Sequence, residues 1–128
     1  MVISMRIFKS KWFGKFVREE SISDAKLCQT VRDAEAGLID ADYGGGVIKQ
    51  RVARPSEGKS GGYRCIILYR KSSVAFFVYG FPKNERANIS QLEKREFKEL
   101  AKVTLDLSEA QLAKLIETGA FKEVGCDD

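Results

Sequence analysis

The stretch that decides the fold is Tyr63-Arg64-Cys65-Ile66-Ile67-Leu68-Tyr69-Arg70, then Lys71-Ser72-Ser73, then Val74-Ala75-Phe76-Phe77-Val78-Tyr79-Gly80-Phe81-Pro82. Its two apolar runs are rich in β-branched and aromatic residues and are short, which favours strands over buried helices. The three polar residues between them predict a tight turn, so the pair reads as an antiparallel hairpin. Both runs are apolar at odd and even positions. A strand of that kind needs cover on both faces of its sheet. Pro82 has no N–H to give to a ladder and ends the second run.

Upstream, Val47 to Ala53 is strand-like, and Arg54-Pro55-Ser56-Glu57-Gly58-Lys59-Ser60-Gly61-Gly62 is a turn rich in Gly, Ser and Pro. The three strands form an antiparallel meander. Gly44-Gly45-Gly46 reads as a flexible connector; no Gly-Lys-Ser/Thr follows, so it is not a phosphate loop. Before it, Trp12, Phe13, Phe16 and Val17 mark one face of a short helix, and Leu27, Val31, Ala34 and Leu38 mark a second. Ser21 or Ser23 would cap that second helix and Gly37 would end it, the two helices lying antiparallel in contact. Arg6 to Phe8 opens a first short strand. Downstream, Asn88 or Ser90 starts a helix running to about Lys102, with Ser90 and Glu93 forming a capping box; Ser108 and Gln111 form another for a last helix. The expected class is α+β: a small antiparallel sheet packed by two N-terminal helices, with C-terminal helices. One domain spans residues 1–128, of which 108–128 are a helical extension.

With 44% hydrophobic and 31% charged residues, the 128-residue chain has apolar content for a real core. Its longest apolar run falls far short of the ~20 residues a spanning helix needs. No secretory signal is expected. The three cysteines, Cys28, Cys65 and Cys126, are widely spaced with no C-x-x-C pair. They predict neither a disulfide framework nor a zinc site, with Cys28 and Cys65 in the core, and a reducing cytoplasm fits best. The chain has no histidine, which excludes Ser-His-Asp and Cys-His catalysis and His-ligated metals. Acid and base must come from carboxylate, Lys, Arg or Tyr.

Charge is uneven. Gly44 to Arg86 holds nine basic and two acidic residues, hence +7, whereas the whole chain carries +4. Such a block suggests a polyanionic partner; a solvated basic sheet face is the plainer reading of the same charge. In a hairpin, Arg64 at the start of one strand meets Lys83 to Arg86 at the end of its neighbour. Lys49 and Arg51 lie on one side of the adjoining strand. Cations from three segments then converge where guanidinium forks can grip a phosphodiester. Tyr63 and Tyr79 could add stacking surface for bases, although sheet packing is the stronger reading for both. Glu57 and Glu85, amid so many cations, read as charge balance.

The combination of Ser60-Gly61-Gly62-Tyr63-Arg64, an aliphatic strand ending in Tyr, a second apolar strand, and Gly80-x-x-Lys83-x-Glu85-Arg86 resembles the RelE/HigB toxins of bacterial type II toxin–antitoxin systems. The similar order of elements extends the resemblance over about Arg6 to Leu100. It implies a ribosome-dependent mRNA endonuclease that cuts messages in the A site by attack of the ribose 2′-hydroxyl, without metal or cofactor. It also implies a cognate antitoxin as partner and no role for a membrane. By the same resemblance Arg64 matches the phosphate-stabilising arginine, Lys49 and Arg51 a basic pair on the preceding strand, and Arg86 the second basic position of the downstream motif. These four are the expected catalytic residues, with Arg54, Lys59, Tyr63, Lys83 and Asn84 expected to contact RNA. Two positions depart from the pattern: Asn84 stands where an arginine is frequent, and Ser90 near where some members carry a tyrosine. Two other classes stay open: a ParE-like inhibitor of DNA gyrase, and a non-catalytic RNA- or protein-binding relative.

Overall fold

The computed structural model describes residues 5–54 and 62–126, except for the side chain of Arg54. Among the described residues six strands and four helices follow in the order β1 (Arg6–Ser10), α1 (Lys11–Glu20), α2 (Asp24–Glu35), β2 (Ala41–Gly44), β3 (Val47–Arg54), β4 (Gly62–Arg70), β5 (Val74–Pro82), α3 (Gln91–Thr104), α4 (Glu109–Glu117) and β6 (Phe121–Val124). The sheet order is β2-β3-β4-β5-β1-β6. The expected meander β3-β4-β5 is its centre. The other strands extend it: β1 lies parallel to β5, β6 runs antiparallel to β1, and β2 pairs with β3. The class is α+β, as the alternation of patterns predicts.

Serine caps set each helix start. Ser10 accepts from the Phe13 N–H, Ser23 from Lys26, Ser90 from Glu93 and Ser108 from Gln111, the last two as reciprocal capping boxes. Helix α2 stops at Glu35, with Gly37 at φ +86 just beyond. Leu38 is therefore not on its apolar stripe and is 65% exposed, which corrects the expectation. Nor do α1 and α2 pack chiefly on each other. The first lies over β5 and β1, the second over β3 and β6. A connection of three residues lets each follow its own strands.

Both sheet faces are covered, as the doubly apolar strands require. One core gathers Phe13, Leu27, Val31, Ile67 and Phe77 beneath α1 and α2. The other gathers Phe8, Ile66, Leu68, Phe76 and Ala101 beneath α3 and α4. Burying each such side chain stabilises the fold by ~1.5–3 kcal/mol before entropy is subtracted. On β4 the side chains alternate between the two cores, so Arg64 belongs to the face of Ile66 and Leu68.

Gly44-Gly45-Gly46 is not a flexible connector. Gly45 and Gly46, at φ +63 and +83, form the two-residue turn of the β2–β3 hairpin, where both central residues must be left-handed. The cysteines also depart from expectation. Cys28 on α2 is bonded to Cys126, and only the buried Cys65 is free. The separation of 98 residues hides this pair in the sequence. It forms because β6 returns to the sheet edge under α2.

Candidate functional site

At one end of the β2–β3–β4 region three cations surround one carboxylate. Asp40, just before β2, has Oδ1 2.8 Å from Arg51 Nε. Its Oδ2 is 3.5 Å from Lys49 Nζ and 3.9 Å from Arg64 Nε. Strand register explains the meeting: Arg51 lies directly opposite Arg64, and Lys49 opposite Ile66. Lys49, Arg51 and Arg64 thus share a sheet face, as the spacing of two predicts. Like charges placed opposite one another cost ~0.2–1 kcal/mol, which the Asp40 carboxylate offsets.

Accessibility differs sharply within the cluster. The Arg51 side chain is 48% exposed, those of Lys49 and Asp40 12%, and that of Arg64 4%. Burial pushes the Arg64 pKa down, and the charge of Arg51 pushes the same way, with Asp40 opposing; arginine remains a cation throughout. Burial also raises the thiol of the neighbouring Cys65, which leaves it inert. A cavity of about 470 Å³ opens beside the cluster, lined by Asp33, Leu38, Ile39, Asp40, Gln50 and Arg51. That volume lies in the ~300–1,000 Å³ range of small-ligand sites.

Buried Gln50 holds Asp40 in place. Its Oε1 accepts from the Asp40 N–H at 2.9 Å, and its Nε2 donates to the carbonyls of Leu38 and Thr30. Behind Asp40, Tyr43 donates its hydroxyl to Asn88; burial, and then the charge of Asp40, raises the Tyr43 pKa. Neither Asp40 nor Gln50 is marked by the sequence. Ala41-Asp42-Tyr43-Gly44 is a poor strand by propensity, and without β2 nothing brings Asp40 to β3.

The other expected site residues divide. Arg86 does not join the cluster. Its guanidinium donates to both Glu93 oxygens at 2.6 and 3.1 Å, to Tyr79 Oη at 3.3 Å and to the Asn88 carbonyl at 2.9 Å. It lies over the ring of Phe81, the residue that pairs with Arg64 across β4 and β5. The hydrogen bond from Arg86, with that from the Ser90 N–H, holds the Glu93 carboxyl down to about 2. Arg86 thus anchors the start of α3, which corrects the expected convergence.

Tyr63 is buried, with its ring edge-on to Phe16 and its hydroxyl donating to Glu20. It faces the core under α1 and offers no platform to a base. Tyr79 is wedged between Trp12 and Phe97. Lys83 and Asn84 are exposed on the turn after β5, where the Lys83 N–H donates to the Gly62 carbonyl. Ser90 is spent on capping α3. Lys59 and the side chain of Arg54 lie outside the described residues. At the opposite sheet edge, cations from outside the basic middle block come together. Lys9 and Lys122, paired across β1 and β6, line a groove with Lys11 and Arg18. Among the described residues no three His, Cys, Asp or Glu side chains gather as a metal site would require, and no helix is long and apolar enough to cross a membrane.

Lysine and guanidinium groups gathered around one carboxylate form a donor set that suits the oxygens of a carboxylate or of a phosphate. The family model for the RelE toxin of the RelE / RelB toxin–antitoxin system matches residues 5–124. The chain belongs to that family, and is the toxin of a toxin–antitoxin system. No curated protein matches it.

Proposed function

We propose that this toxin is a ribosome-dependent mRNA endonuclease, acting in the cytoplasm and restrained by a cognate antitoxin. The observation that carries the reading is the gathering of Lys49, Arg51 and Arg64 on one sheet face, within 4 Å of one carboxylate. Cleavage proceeds by attack of the ribose 2′-oxygen on the adjacent phosphorus. The 2′-proton is removed, the P–O5′ bond breaks, and the leaving 5′-oxygen takes up a proton, giving a cyclic phosphate and a 5′-hydroxyl. Arg51 and Arg64 stabilise the extra negative charge on the phosphoryl oxygens. Neither can act as the base, because arginine does not deprotonate. Lys49 is the one group of the three that can exchange a proton. Among the described residues Lys83, exposed at the same end of the sheet, is the lysine placed to serve the leaving oxygen, since Arg86 is held by Glu93.

The test is 5′-end mapping of cellular mRNA after brief induction, comparing the wild type with Arg64→Ala and Arg64→Met. Cuts at fixed positions within translated codons, lost in both variants while they remain folded, are the expected result. Growth arrest with intact mRNA would sink the reading and turn attention to DNA gyrase.

A further inference from the structure

The Asp40 carboxylate occupies the position that the cations of this site would offer to a phosphate. Its two oxygens meet Arg51 Nε, Lys49 Nζ and Arg64 Nε from three directions, at 2.8, 3.5 and 3.9 Å. That is the pattern of a small oxyanion held by a lysine and two guanidinium groups. We propose that Asp40 is an internal stand-in for the substrate phosphodiester: it keeps the cations assembled in the free protein, and RNA binds by taking its place. The inference rests on the reading of this cluster as the RNA site and adds how the site is masked.

Three features support exchange over a catalytic role for the carboxylate. First, both carboxylate oxygens are already engaged by cations, Oδ1 by Arg51 and Oδ2 by Lys49 and Arg64, all within 4 Å. Second, Arg51 lies directly across from Arg64 on the adjoining strand, and the Asp40 carboxylate places one oxygen towards each of these like charges. Third, Arg64 is 4% exposed while Arg51 is 48% exposed, and both Arg51 and Asp40 open on the 470 Å³ cavity. A phosphate entering there meets Arg51 first and reaches the deeper cations by displacing Asp40. Because Asp40 sits in the bend before β2 and not within a strand, its side chain can swing away without breaking the sheet ladder.

The test measures binding of a short 2′-O-methylated single-stranded RNA, which cannot be cleaved, across a salt series. Binding is thereby read separately from cleavage. Removing the competing anion in Asp40→Asn is expected to tighten binding ~3- to 10-fold at low salt. It should also steepen the salt dependence, by a log–log slope of ~0.7 for each further phosphate engaged on a single strand. Asp40→Glu, which retains the anion, should gain neither. Unchanged or weaker binding by folded Asp40→Asn, with an unchanged slope, would overturn the proposal even if cleavage itself is confirmed. Should Asp40→Asn fail to fold, the wild type decides: titration with the same RNA should move the Asp40 carboxyl carbon resonance together with the Nε–H resonances of Arg51 and Arg64. An RNA complex, or an RNA titration to saturating concentration, that leaves all three in place overturns it equally. Loss of the cleavage pattern with the binding gain intact would instead refute the endonuclease reading alone.

Discussion

Cys126 is exposed at the end of the described chain, whereas Cys28 is buried in α2. Cys126→Ala therefore removes the covalent link and almost no packing, so its effect reports on the unfolded chain. The bond closes a loop across a sequence separation of 98. Loop-closure entropy for about 100 residues is worth ~4.7 kcal/mol at 25 °C. That is a large part of the ~5–15 kcal/mol by which a domain is stable. With a urea slope of about 2 kcal/mol/M, the midpoint should fall by ~2 M. Wild type under reductant should unfold where the oxidised variant does. Alkylation of the unfolded, unreduced wild type should tag one thiol, Cys65, and not three. A single tagged thiol with a midpoint difference below ~1 M would refute the loop-closure reasoning, and three tagged thiols would refute the bond. A reducing compartment opposes such a bond, so the same titration under reductant gives the stability that would remain in one.

Other perturbations follow from single contacts. A Cβ on Gly80 would lie 2.5 Å from Phe16 Cε2, and that ring is hemmed in by Trp12, Phe13 and Tyr63; Gly80→Ala should cost ~1–3 kcal/mol in thermal denaturation, with Phe16→Leu relieving part of it. Gln50→Leu leaves the Asp40 N–H and the Leu38 and Thr30 carbonyls without their partner; a loss of ~2–4 kcal/mol in urea unfolding is expected, and a neutral result would show that the amide does not organise the site. Glu93 has its folded pKa lowered to about 2 from 4.5, so its contribution is complete above pH ~4.5 and disappears as pH falls towards 2. The gap in thermal midpoint between wild type and Glu93→Gln should accordingly close over that window; a gap constant from pH 7 to 2.5 would contradict the assignment of the Arg86 pair.

What could be read along the chain was what depends on neighbours. The doubly apolar runs Tyr63–Arg70 and Val74–Pro82 announce strands covered on both sides, and Ser90 with Glu93 and Ser108 with Gln111 announce helix starts, because periodicity and capping act over two to four residues. The spacing of Lys49 and Arg51 and the hairpin placed them with Arg64 on one face for the same reason. Long-range pairing decided the rest. Strand β2 exists because a two-glycine turn folds it onto β3, against its own propensity, and with it comes Asp40, the group that makes three scattered cations into one site. Strand β6 exists because β1 offers it an edge, and with it comes the Cys28–Cys126 bond. Arg86 and Tyr63 carry residue types suited to RNA, but which way each is spent was settled by Glu93 and Glu20, partners supplied by α3 and α1. A side chain's chemistry is local, whereas its availability depends on which groups the completed fold sets against it.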